Sequence, residues 1–396
     1  SSSSEWEQRR GRGAAGPWDD NSACVATDTA AMWAHAAVAA IIWAQMLCGT
    51  GVSAGIEEQR VVHFTTQGGG ELPALAYGTA HIRDAEIILA ALEVGFRHID
   101  TAVLYGNHRA VGEALNRSGL PRSKVFLTTK VSFQGKGDER KQLQKALVEL
   151  GLPWVDLCLL HTPLTGSWME FLAAYLPHRL GRGQPVSWTP LRFLADPTRR
   201  LLRWLAATVG KGASAAAALR RDAWRELEAA QARGECRYIG VSNFDAGLLQ
   251  ELETSAALMP AVNQVELHPR FHARDTAAYC RAHGIAIFGY GNGISLNLGA
   301  AASAAAARTA ARGGSISPAQ VTLAWTLQTG AGAVVRSKRR AGMTENLGAL
   351  GLELSDEEVL ALDAAGESEP FYWDMSAAVR ISSAVGGSAA HPAGEL

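Results

Sequence analysis

Apolar and polar positions change period along the chain, and the changes are regular. Phe96, His98 and Asp100 alternate with Arg97 and Ile99 before turn-like residues begin, which predicts a short strand over Phe96–Asp100. Comparable apolar runs predict strands at Leu75–Gly78, Val125–Lys130, Val155–His161, Tyr238–Val241, Val262–Glu266, Ala286–Tyr290 and Ala333–Arg336. Each is followed by a stretch with helical spacing: Ala85–Val94, Arg109–Arg117, Glu139–Leu150, Ala223–Arg233, Ala246–Ser255, Thr276–His283, Pro318–Gln328 and Met343–Leu350. Eight β/α units predict a closed (β/α)8 TIM barrel rather than an open sheet. VVHFT and ELPAL, separated by Gly68–Gly70, predict an N-terminal β-hairpin in front of it. Ser355, with Glu358 three residues on, predicts a capped extra helix over Asp356–Ala364 behind it.

Three stretches break the rhythm. Residues 1–60 carry an Ala-rich apolar run, Ala30–Leu47, followed by small residues. It reads as a targeting segment, as a surface helix or extension, or, at the margin of length and apolarity, as a membrane span. Residues 164–221 exceed what one loop needs. They place nine cations (Arg179, Arg182, Arg192, Arg199, Arg200, Arg203, Lys211, Arg220, Arg221) against Glu170 and Asp196 alone. This reads as a basic insertion after strand four, either a tolerated surface segment or a docking or lid element for an acidic partner or substrate. Residues 381–396 read as a disordered tail, so the barrel spans 61–380.

Composition narrows the function. The 396 residues are 47% hydrophobic, enough for a large core, and the net charge of -1 gives no reason to expect a nucleic-acid partner. Cys24, Cys48, Cys158, Cys236 and Cys280 are odd in number, scattered and without a CxxC. That argues against a disulfide framework or zinc site and for a reduced, cytoplasmic barrel. No metal site is expected.

The chemistry sits at strand ends. Asp100 and Tyr105 follow the second barrel strand, Lys130 ends the third and His161 the fourth. Parallel barrels build their active sites at that face. A tyrosine is a weak acid at neutral pH, but a neighbouring ammonium favours the phenolate and should lower its pKa. A carboxylate would hold the lysine charged, and an imidazole would orient a carbonyl oxygen. The four together make a proton-delivery site for a carbonyl whose carbon accepts a hydride.

GFRHIDTA with Tyr105, TTK ending at Lys130 and LLH ending at His161 resemble the aldo-keto reductase family over about Leu72 to Ala364. The resemblance implies that Tyr105 is the general acid, Lys130 with Asp100 tunes it, and His161 orients the substrate. It also implies an extended nicotinamide cofactor and a small carbonyl substrate, on a monomer. IGVSNF and NQVELHP resemble the segments that hold the nicotinamide amide, here Ser242, Asn243 and Gln264, with Tyr290 stacked on the ring. AVVRSKRRAGMTENL resembles the adenosine-phosphate segment: Arg336 and Ser337 for the 2′-phosphate, Glu345 and Asn346 for the adenine. Its cations favour NADPH over NADH. Four departures stand out: Gly342 where the family has an arginine, GNGISL after the seventh strand, and Ala80 or His81 and Thr162 in place of pocket aromatics. The alternative reading is a cofactor-binding regulatory or partner-docking barrel with little turnover.

Overall fold

A computed structural model describes residues 60–132, 138–163, 213–293, 298–312, 315–364 and 370. The chain divides into two compact units, Ser1–Glu58 and Gln59–Leu396, and every described residue belongs to the second. The expected targeting segment, the tail after 381 and the insertion from 164 to 212 lie outside the described residues.

The described elements run in the predicted order. A hairpin of β1 (Val61–Phe64) and β2 (Gly70–Pro73) precedes β3 (Leu75–Gly78), α1 (Ala85–Val94), β4 (His98–Asp100), α2 (His108–Arg117), β5 (Phe126–Val131), α3 (Asp138–Leu150) and β6 (Val155–Leu160). Then come α4 (Ala213–Ala232), β7 (Cys236–Ser242), α5 (Ala246–Glu253), β8 (Val262–Glu266), α6 (Arg274–Ala282), β9 (Ala286–Tyr290), α7 (Gly299–Arg312), α8 (Pro318–Gln328), β10 (Gly332–Val335), α9 (Arg340–Gly348) and α10 (Asp356–Asp363). Strands β3 to β10 close in the order β10-β3-β4-β5-β6-β7-β8-β9, all neighbours parallel. Parallel strands covered on both faces need continuous apolar runs rather than alternation, and β5 and β6 are buried at every position.

The hairpin covers the N-terminal ends of the strands. Its turn residue Gln67 donates to Ile239 O and Met259 O, both at 2.8 Å. Phe64 packs edge-on against Tyr238 with ring centroids 4.8 Å apart. At the other end of the chain Ser355 caps α10 in the expected capping box with Glu358.

Three features differ from the sequence reading. Helix α4 begins at Ala213, not Ala223, because the Ala run counted with the insertion is the strongest helix-forming composition available. Arg220 is consequently not a loose insertion cation: it is buried and makes a two-pronged ion pair with Glu251 at 2.7 and 2.6 Å. A second Ala-rich stretch forms α7, where the periodicity predicts no element; Arg308 on it donates to Glu358 of α10 at 2.8 Å. Finally, Cys158 and Cys236 form a disulfide with Cα atoms 5.8 Å apart. They are 78 residues apart in sequence, and their proximity exists only because β6 and β7 pair in the barrel wall.

Candidate active site

The four strand-end residues converge. Asp100 closes β4, Lys130 is the penultimate residue of β5, and His161 follows β6 directly. Tyr105 ends a single tight turn, Val103–Tyr105, and Gly106 (φ 60°) reverses the chain behind it in a conformation that glycine adopts without strain. Buried Asn107 fixes this turn. It donates to Thr79 O at 2.9 Å and Ile82 O at 2.7 Å, and accepts from Thr101 Oγ1 at 2.7 Å.

Lys130, 1% exposed, donates to Asp100 Oδ1 at 2.5 Å and to Thr101 O at 3.4 Å, and its Nζ lies 5.3 Å from the centroid of the Tyr105 ring. The Tyr105 and His161 rings meet edge to face with centroids 5.7 Å apart. His161 Nδ1 is buried and has no hydrogen-bond partner among the described residues.

The electrostatics correct one expectation. Burial raises the Tyr105 phenol above its ordinary value, and Lys130 pulls it back without overcoming that. The phenol therefore keeps its proton at neutral pH, as a group that must deliver one requires. Burial lowers the Lys130 ammonium, but Asp100 and Tyr105 outweigh it and the net shift is upward. Burial, assisted by Lys130, takes His161 down to about 3, so its imidazole is neutral.

A second network joins the first from the far side of the barrel. The Gln264 side-chain amide on β8 donates to Asp100 Oδ2 at 2.8 Å, and the Gln264 backbone carbonyl accepts from Ser242 Oγ at 2.8 Å. Asn243 sits in the left-handed region (φ 63°), which asparagine tolerates better than most residues. Its amide donates to His161 O at 2.9 Å and accepts from the Tyr290 hydroxyl at 2.6 Å. Ser242, Asn243, Gln264 and Tyr290 are thus brought together with all four strand-end residues.

The basic segment after β10 is arranged around its own backbone. Arg336 donates to Ala80 O at 2.8 Å. Ser337 Oγ is held by the backbone of Arg339 in both directions, 3.0 and 3.2 Å. A Cβ at Gly342 would stand 2.5 Å from Ser337 Oγ, so the serine occupies the space that a larger residue there would need. Arg340 is tied to Glu93 at 2.7 Å. Lys338 and Arg339 are exposed, and Glu345 and Asn346 are half-buried on α9.

Sequence reasoning missed the direct Gln264–Asp100 bond, the Asn107 brace and Asn292, a buried residue two positions after Tyr290. The "YGN" following the strand was the available signal for Asn107, since asparagine is favoured in turns. The same tripeptide recurs at Tyr290–Asn292 and offered the same signal for Asn292, whereas nothing in the sequence signalled the Gln264–Asp100 bond.

The profile of the aldo/keto reductase family matches residues 74–293 and 295–367. A Mycobacterium sp. (strain MCS) aldo-keto reductase is 32% identical over 308 residues, covering 76% of this chain and 90% of the relative. A 9,11-endoperoxide prostaglandin H2 reductase of Trypanosoma cruzi is 30% identical over 305 residues, covering 75% and 89%. Among solved structures, an aldo/keto reductase from Brucella melitensis superposes with TM-score 0.60 at 27% identity, over 78% of this chain and 98% of that one. A Bombyx mori aldo-keto reductase solved in complex with NADP shares the fold, with TM-score 0.61 at 22% identity over 79% and 95%. Matched family profile, relatives and barrel agree: the chain belongs to the aldo-keto reductase family, oxidoreductases that reduce carbonyl groups with a nicotinamide cofactor.

Proposed function

We propose that this protein reduces an aldehyde or ketone to the alcohol with NADPH, and that Tyr105 supplies the proton. The observation that carries the reading is the convergence of Lys130, itself paired with Asp100, on the Tyr105 ring beside His161. Bound reduced nicotinamide supplies the hydride to the carbonyl carbon. As charge develops on the carbonyl oxygen, the protonated phenol is the nearest strong donor and Lys130 stabilises the phenolate left behind. Neutral His161 holds the carbonyl oxygen by hydrogen bond and cannot compete with Tyr105 as the acid, because its own proton affinity is too low at neutral pH.

The chemistry of the donor set fits a nicotinamide dinucleotide. Ser242, Asn243 and Gln264 form an amide-rich cluster at the β7 and β8 ends, where they would hold the nicotinamide amide, with the Tyr290 ring beside it. Arg336, Ser337, Lys338 and Arg339 would hold the 2′-phosphate, and Glu345 and Asn346 the adenine. The preference for NADPH rests on these cations, since a phosphate ester needs charge-assisted donors. With glycine at 342 and Arg340 on Glu93, the preference over NADH is expected to be moderate.

The test uses the full chain with NADPH and a panel of small aldehydes and ketones, following loss of reduced-nicotinamide absorbance. Tyr105→Phe should lower kcat by about 10²–10⁴-fold with NADP+ affinity unchanged. Turnover persisting in that variant contradicts the assigned acid. NADP+ binding without turnover of any carbonyl would favour the regulatory or partner-docking reading.

A further inference from the structure

We propose that a cavity behind the turn that carries Tyr105 binds a small dianionic oxyanion, a phosphate monoester or a dicarboxylate. The cavity has a volume of about 320 Å³ and lies between that turn, the start of α2 and one face of α3. Sites for small ligands run from about 300 to 1,000 Å³. Arg83, Arg109 and Lys145 line it against one carboxylate, Glu149, so it carries net positive charge. Tyr105, Lys130 and His161 do not line it, nor does Arg336. It is therefore separate both from the strand-end site and from the basic segment after β10.

Three observations point to an anion. First, α2 begins bare. Asn107 stands at its N-cap, but the Asn107 side chain is committed to Thr79 O and Ile82 O, and the first turn holds no acidic residue. The first amides of α2 thus keep no side-chain acceptor, and the positive end of the helix opens on the cavity. Second, His108 is 2% exposed and bonds Thr129 Oγ1 through Nε2 at 2.9 Å. Its Nδ1, on the cavity side, stands 3.8 Å from Glu149, too far for a hydrogen bond. A buried polar nitrogen without a bond is costly to keep. Burial takes this imidazole down to about 4, so it stays neutral and offers Nδ1–H when the Thr129 hydroxyl donates to Nε2. Third, Arg109 Nε and Lys145 Nζ each stop 3.9 Å from Glu149. Three nitrogens surround one carboxylate and none hydrogen-bonds it. An oxyanion in the cavity would take those donors as short, charge-assisted bonds. Val103 and Gly106, either side of Tyr105, line the same cavity, so its occupant touches that turn from behind.

The experiment titrates the full-length protein with glycerol 3-phosphate and with malonate by calorimetry, in phosphate-free buffer of low ionic strength, with and without saturating NADP+. Amide hydrogen exchange locates the ligand. The expected result is saturable binding of at least one of the two, with affinity unchanged by NADP+ and exchange slowed between Val103 and Ala110. The tighter ligand identifies the source as phosphate ester or dicarboxylate. Arg109→Gln combined with Lys145→Gln should weaken binding by about tenfold or more. Both side chains are largely exposed, 85% and 71%, so the ligand-free melting temperature should stay at the wild-type value. Arg336→Gln should bind the oxyanion as the wild type does. Absence of saturable binding of either ligand overturns the proposal, as does a double variant within about twofold of wild-type affinity. Binding that vanishes with NADP+ present, or in Arg336→Gln, also overturns it, because the oxyanion would then sit on the basic segment after β10. Oxyanion binding by a protein that takes up no NADP+ would uphold this site while the cofactor reading falls.

Discussion

Gln264 and Asp100, 164 residues apart in sequence, meet across the barrel mouth with the Gln264 amide donating to Asp100 Oδ2 at 2.8 Å. The other carboxylate oxygen accepts from Lys130. A buried carboxylate is stable only when its lone pairs are used, and here an amide shares that duty with the ammonium. Gln264→Leu should therefore weaken the Asp100–Lys130 pair as well as cofactor binding. The expected result is a fall in kcat of about tenfold or more, together with a loss of roughly 1–3 kcal/mol of stability. Steady-state kinetics and urea denaturation check both. Loss of cofactor affinity with unchanged kcat would show that Gln264 does not act through Asp100.

The Asp100–Lys130 pair predicts a non-additive cycle. Asp100→Asn leaves a buried ammonium without its counter-charge, and Lys130→Met leaves the carboxylate without its own. Each single change is expected to cost about 3–5 kcal/mol. The double variant removes both charges and should recover much of that stability, while carbonyl reduction stays lost because nothing then supports the Tyr105 phenolate. Denaturation midpoints and activity of all four proteins test this. Additive stability losses would exclude the pairing.

Buried imidazoles set the acid limit of stability. Burial takes His98 and His108 down to about 4 and His161 down to about 3. Between pH 6.5 and 4 the unfolded chain takes up three protons that the folded one refuses, so stability falls as pH falls. Each histidine contributes about 1.4 kcal/mol per pH unit in that window. His98→Asn should flatten the pH dependence of the urea midpoint below pH 6 by about a third of the histidine contribution. An unchanged slope would mean that His98 is protonated in the folded barrel.

The rate should behave differently at the alkaline side. With Tyr105 raised by burial, the donor remains protonated through neutral pH, and kcat for reduction should fall only above about pH 10. A kcat profile that declines between pH 7 and 9 would show that another group gives up the proton.

The Cys158–Cys236 bond stitches β6, which leads to His161, to β7, which ends in Ser242. The intact protein should retain this disulfide under denaturing, alkylating mass spectrometry, with Cys280 alkylated. Replacing both bridged cysteines by alanine is expected to cost roughly 2–5 kcal/mol. Full alkylation of Cys158 and Cys236 without reductant would show that the bridge does not form.

The sequence by itself determined the barrel and the identity of its catalytic candidates. Short apolar runs alternating with helical spacing leave few folds, and Asp100, Lys130 and His161 at successive strand ends stay at strand ends in any parallel barrel. Local periodicity survives into the structure because it reflects which faces must be buried. What the tertiary structure alone decided is everything that depends on distance between strands remote in sequence. Gln264 on Asp100, Cys158 on Cys236 and Arg220 on Glu251 have no local signature, because barrel closure creates each environment. The sign of the Tyr105 shift belongs with them. The ammonium beside it was legible from residue types, but the burial that outweighs it arises only when the surrounding strands pack together.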